Sequence, residues 1–180
     1  MKLKLILILM ILLAPSYNVY AELKVELILP KTTFKFDKDL AKKAKAESKK
    51  NGTRTPPRLE AIELNGKLRL KNTGDKAVKI KDYNSDYVSI KIILEGPGLI
   101  ELKDVYGDMY DTTDDMKSGK DIIIKPGEHF DFHLPSLGYG SRWSFNHLYW
   151  TKAGTYKIST KYTYKSVSVT SLPIELNVKK

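Results

Sequence analysis

Residues 153–164 read AGTYKISTKYTY, and their alternation decides the fold. After Gly154, Tyr156, Ile158, Thr160, Tyr162 and Tyr164 fall on one side. Thr155, Lys157, Ser159, Lys161 and Thr163 fall on the other. A period of two with one polar face is the pattern of a half-buried antiparallel strand. This strand is expected at the centre of the fold, because the stretches on either side follow the same rule.

Leu23, Val25, Leu27 and Leu29 alternate before Pro30, and Phe34 and Phe36 mark a short strand over Thr32–Phe36. Ile62 and Leu64 precede Asn65-Gly66, while Leu68 and Leu70 follow it. Asn-Gly between alternating runs predicts a hairpin, and a single strand with a bulge at Gly66 is the alternative. Asn72-Thr73-Gly74-Asp75 is a second turn, leading to a strand around Val78 and Ile80. Strands follow over Tyr87–Leu94, Leu99–Val105 and Ile122–Lys125. Lys125-Pro126-Gly127-Glu128 fits a type II turn, with glycine at the positive-φ position. His129–Leu134 then points Phe130, Phe132 and Leu134 inward. The last strand is expected over Leu172–Val178 with Leu172, Ile174, Leu176 and Val178 inward, and Pro173 suggests that it is an edge strand. About nine short strands with regular turns specify an all-β, antiparallel β-sandwich.

Composition sets the outer bounds. At 180 residues the chain suits one domain with a substantial core. Hydrophobic residues at 42% and charged residues at 29% are ordinary for a globular protein. The absence of cysteine excludes disulfides, thiolate metal sites and cysteine nucleophiles. Residues 1–21 have the form of a cleavable signal peptide: Lys2 and Lys4, the apolar run Leu5–Leu13, and a small-residue site at Val19-Tyr20-Ala21. The expected mature chain, 22–180, is a single domain that is secreted or periplasmic. It keeps 29 basic and 21 acidic residues, a net charge of +8. Such a protein is drawn to anionic cell-envelope polymers, lipid head groups or acidic glycans, and another secreted protein is the remaining candidate partner. Nucleic acid is not an expected partner of an exported chain.

One segment departs from the β pattern. From Ala41 to Arg58 there are seven basic residues and one acid, Glu47. Asp37 or Asp39 can cap a short helix that Asn51-Gly52 would end. With few apolar residues to bury, 41–58 is expected to be a mobile basic insertion. Lys42, Lys43, Lys45, Lys49 and Lys50 make it a candidate arm for an anionic surface.

Short motifs in the later chain carry a resemblance. Leu68-Arg-Leu-Lys-Asn-Thr-Gly-Asp75 is similar to the strand and Asn-x-Gly-Asp turn of bacterial secreted immunoglobulin-like modules, a group that includes fibronectin-III-like domains. Lys125-Pro-Gly-Glu128 and Ala153-Gly-Thr-Tyr156 resemble their later half, and the likeness spans roughly Leu59–Val178. It implies an immunoglobulin-like sandwich in which Tyr156 is the structural tyrosine of a tyrosine corner. Ile158 stands where antibody domains carry cysteine, so the disulfide-bonded branch is excluded. The same Pro-Gly-Glu and Gly-x-Tyr turns resemble, more faintly, the bacterial intracellular proteinase inhibitor family. That likeness makes a proteinase inhibitor a further functional alternative.

Three sets of residues are candidate sites. Pro135–Thr151 reads as an aromatic loop in which Trp143, Arg142, Tyr139 and His147 can contact a glycan or peptide. The competing reading folds Trp143, Phe145 and Trp150 back as a plug over one end of the sandwich, and the expectation is a mixture with Trp150 buried and Trp143 exposed. His129, Asp131 and His133 share one side of their strand, about 6.7 Å apart in sequence order. They are the candidate metal ligands, with His147 from the next loop, and the acidic stretch Asp104–Asp121 offers oxygen ligands for calcium. No nucleophile elbow, HExxH motif or phosphate-binding glycine loop is present, so a non-enzymatic binding or accessory protein without a cofactor is expected. An extracytoplasmic metal-binding protein is the alternative.

Overall fold

The computed structural model describes residues 23–50, 59–82, 88–105, 120–141, 144–165 and 167–180. Among them the fold is all-β apart from one helix, with thirteen strands. The strands are β1 (Leu23–Ile28), β2 (Thr33–Lys35), β3 (Glu63–Asn72), β4 (Val78–Lys81), β5 (Val88–Glu95), β6 (Leu99–Val105) and β7 (Asp121–Ile124). They continue as β8 (His129–Ser136), β9 (Gly138–Ser141), β10 (Ser144–Trp150), β11 (Gly154–Tyr164), β12 (Val167–Thr170) and β13 (Ile174–Lys179). The helix, α1, spans Lys38–Ser48. The expected leader, 1–21, lies outside the described residues.

Strand β11 is central, as its alternation requires. β5 pairs along one edge from Lys157 to Tyr164. β13 and β12 share the other edge, over Gly154–Ile158 and Lys161–Tyr164. Tyr156, Ile158, Thr160 and Tyr162 are fully buried, and Tyr164 nearly so. A second sheet runs β1–β3–β8. Its buried face, with Val25, Leu68, Leu70 and Phe132, shares one apolar core with the β11 sheet. Phe132 and Tyr162 meet across the layers at 5.7 Å between ring centroids. A third sheet, β6–β10–β9, contributes Leu148 and Trp150 to the same core, and the β4–β7 pair contributes Val78, Ile80 and Ile124.

The strand count exceeds the expected nine or so partly because Pro135–Thr151 is a β9–β10 hairpin rather than a loop. β12 is a further strand, paired antiparallel with β11. Asn65-Gly66 makes no hairpin. β3 runs through it, with Asn65 at φ 49° and a register shift against β8 between Glu63 and Gly66. A bulge therefore absorbs the turn signal, because the long run of partners on β1 and β8 outweighs a local two-residue preference. The turn expected at Lys125–Glu128 is present. Glu128 N donates to Lys125 O at 3.0 Å, and Gly127 takes φ 79°.

The end of the chain also differs from expectation. β13 starts at Ile174, and Leu172 is 81% exposed. Nor is β13 an edge strand: β2 lies alongside it in parallel, with Asn177, Val178 and Lys179 opposite Thr33, Phe34 and Lys35. Pro173 stands just outside the strand, where its missing N–H costs no ladder bond. The sheet is consequently mixed, not wholly antiparallel.

The short helix expected at the start of the basic segment is present as α1. Asp37 caps α1 by accepting from Leu40 N at 2.8 Å. Ala41 and Ala44 are buried where the helix lies against β6 and β10. Two alanines at i and i+3 suffice to seat a helix closely on a sheet, and a reading that weighs only large apolar residues passes over them. Residues 51–58 lie outside the described residues.

Candidate functional site

Strand β10 carries two faces, and alternation separates them. Leu148 and Trp150 point into the core. The Trp150 ring lies 5.1 Å from Phe34 and 5.8 Å from Tyr156, so it is the plug the sequence suggested. Phe145, His147 and Tyr149 occupy the opposite face as a row of rings, with centroids 4.9 Å and 6.4 Å apart. Tyr149 is buried although it stands outside the main core. Phe145 and His147 remain half-buried. Helix α1 lies against this same sheet, with its two buried alanines facing it.

The edge strand β9 shapes the row. Gly140 is opposite Phe145, and Gly138 is opposite His147. A Cβ on Gly138 would fall 2.5 Å from Phe145 Cε1, so the phenyl ring rests on bare backbone there. No larger residue fits without moving the ring. The result is a shallow aromatic strip beside a glycine-bordered edge, open at the Phe145–His147 end.

Tyr139 does not belong to this strip. It is paired with Asn146 and so lies on the side opposite His147. Its hydroxyl donates to Glu101 Oε1 at 2.7 Å, and Lys91 Nζ stands 5.7 Å over its ring. Burial, then the Glu101 carboxylate, pushes the Tyr139 phenol up to about 12. The expected grouping of Trp143, Arg142, Tyr139 and His147 is thus divided between two faces. Trp143 and Arg142 lie outside the described residues. Phe145 and Tyr149, which the period of two places with His147, stand beside it on this face.

The three candidate metal ligands do share one side of β8, opposite Lys71, Arg69 and Lys67. Asp131 is committed elsewhere. Arg69 donates to both of its oxygens, at 2.8 Å and 2.9 Å, and Lys67 stands at 3.9 Å. These cations, Arg69 foremost, hold the Asp131 carboxyl below its usual range. Among the described residues no group of three or more His, Cys, Asp or Glu side chains could hold a metal ion. Most of the acidic stretch considered for calcium, 106–119, lies outside the described residues. Its last member, Asp121, is bound by Lys79 and Lys81 on β4.

All five candidate lysines of the basic segment are exposed. Lys42, Lys45 and Lys49 line up along one flank of α1, while Lys50 is tied to Glu47 at 2.6 Å. Tyr156, expected to be structural, is fully buried, and its hydroxyl lies 2.8 Å from Lys152 O, four residues upstream, and close to Pro97 O. That is the local geometry of a tyrosine corner. Asn72 does more than open the turn that its sequence signals. Asn72 is wholly buried, donates to Lys76 O and Ile124 O at 2.7 and 2.9 Å, and accepts from Gly74 N at 3.0 Å. It fastens the β3–β4 turn to the end of β7.

No known protein family, curated protein or solved structure matches this chain.

Proposed function

We propose that this protein is an exported, non-enzymatic binding module of immunoglobulin-like type, and that it takes a ring-bearing ligand such as a glycan on the Phe145–His147 strip. One observation carries the reading. Two aromatic side chains are held half-open on the outer face of a sheet, one of them seated on Gly138, with no role in the main core. A core aromatic needs no such support, whereas a preorganised flat ring offers a sugar an apolar face at little entropic cost. The imidazole beside it adds a polar group that can orient hydroxyls.

Binding of neutral oligosaccharides, hexose and N-acetylhexosamine types, measured by calorimetry on the wild type and on Phe145→Ala, tests the site. A loss of about tenfold or more in the variant is expected, corresponding to removal of one stacking surface. Saccharide binding that survives Phe145→Ala unchanged would place the ligand elsewhere. Export rests on Lys2, Lys4, the apolar run and Ala21. Mass spectrometry of the extracytoplasmic fraction should find Glu22 at the N-terminus, and an intact Met1 there would exclude cleavage.

A further inference from the structure

Helix α1 presents Lys38, Lys42, Lys45 and Lys49 at i, i+4, i+7 and i+11. These positions fall on one flank of the helix, beside the face that buries Ala41 and Ala44. The row is about 16 Å long at 1.5 Å per residue. The chain enters the helix from β2, where Lys35 stands in direct register with Lys179 of the parallel strand β13. The six lysines are exposed, and none has an ion-pair partner among the described residues. Of the acids on this segment, Glu47 is turned to Lys50, and Asp37 caps the helix by accepting from Leu40 N.

This arrangement works against the fold's own stability. Like charges at helical spacing, and like charges opposite each other on adjacent strands, are each destabilising. Lys38 and Lys42 also sit at the positive end of the helix dipole. Asp37 and Asp39 offset this only at the first turn, and the cost along the rest of the row is relieved when an external anion lies along it.

We infer that Lys35, Lys38, Lys42, Lys45, Lys49 and Lys179 form a docking ridge for a linear polymer carrying a phosphate in each repeat. Shape decides between a polymer and a membrane. A helix that lies in a bilayer surface turns an apolar face outward. Here the apolar side of α1 is spent on the β6–β10 sheet, and among the described residues the exposed large hydrophobics are Ile28, Ile123 and Leu172, none of them on the ridge. A single file of ammonium groups instead matches a chain of anions in register. The ridge is separate from the Phe145–His147 strip, so the two surfaces fail or succeed independently.

The test uses long-chain inorganic polyphosphate and the full-length protein. The wild type should bind it with an affinity that falls steeply as salt rises. Replacing the four helix lysines with glutamine should weaken binding by about tenfold or more and flatten the salt dependence. Glutamine keeps helix propensity, so the melting temperature should hold or rise. A variant with Lys71, Lys120, Lys125 and Lys152 changed to glutamine carries the same net charge and should bind within about twofold of the wild type, since net charge alone is not the determinant. Lys35→Gln with Lys179→Gln leaves the helix intact and should weaken binding by about threefold, which keeps the test valid if the helix variant fails to fold. Orthophosphate at equal phosphate concentration should not compete, because the gain comes from many contacts on one chain. Equal loss in the charge-matched control, unchanged binding by the ridge variants, competition by orthophosphate, or binding to phosphatidylglycerol vesicles but not to polyphosphate would each overturn the linear-polymer assignment.

Discussion

Asp131 and Arg69 show how one residue's role is decided by what stands opposite it. Read along β8, Asp131 is an acid between two histidines; read across to β3, it is the partner of a guanidinium. Its two charge-assisted hydrogen bonds lower the carboxyl pKa in the folded state. A carboxylate whose folded pKa lies below its unfolded one adds stability that is complete above the unfolded value, about 4. That stability is lost as the pH falls through the folded pKa. Both side chains are partly exposed, at 30% and 23%, so solvent limits the pair to about 1 kcal/mol. Asp131→Asn should accordingly destabilise the protein by about that amount at pH 7 in urea unfolding, and the gap to the wild type should close as the pH is taken below about 4. A gap that stays constant down to strongly acidic pH would mean that the ion pair is not its source. Asn72 makes the complementary point. Its side chain reaches Lys76 and Ile124, contacts fixed only once β3, β4 and β7 are assembled, and a single line of sequence carries no trace of the last of them.

The elements were legible to the degree that their signal was their own. β11, with eleven residues and an unbroken alternation, announces both its state and its buried face. β6 falls on Leu99–Val105, the span that its apolar pattern gives. Elements were missed where neighbours supplied the order. The β9–β10 hairpin is rich in glycine, serine and aromatics, and its strand identity comes from pairing with β6 rather than from propensity. Gly66 signals a turn locally, yet β3 continues because Leu68 and Leu70 have partners on β1 in the same line. In α1 the charge is plain and the docking is not: Ala41 and Ala44 contribute little apolar area, and only the sheet beneath turns them into a contact. The same division holds for the sites. The lysines of α1 and the aromatics of 139–150 were visible as residue types. Their sorting into a ridge and a strip required the helix phase, the β10 pleat and the parallel pairing of Lys35 with Lys179.

At the scale of the molecule, the question is whether four small sheets behave as one body. Trp150 is the residue that answers it. It comes from β10, and its ring contacts Phe34 of β2 and Tyr156 of β11, so it joins the β6–β10–β9 sheet to the sheet built on β11. Its burial is nearly complete, and a single apolar cluster runs from it through Tyr156 and Ile158 to Phe132 and Leu68 in the β1–β3–β8 sheet. Truncation of a buried tryptophan to alanine removes its transfer energy and leaves a cavity, together about 3–5 kcal/mol. For a protein whose total stability is about 5–15 kcal/mol, that is a large fraction. If the sheets fold as one cooperative unit, Trp150→Ala should shift the whole denaturant transition to lower concentration while far-UV and near-UV circular dichroism still report one coincident midpoint. If the β6–β10–β9 sheet were only appended to the rest, the variant would release it first, and the two probes would separate. The continuity of the core through Trp150 favours the single transition, with α1 and the aromatic strip lost in the same step as the strands that position them.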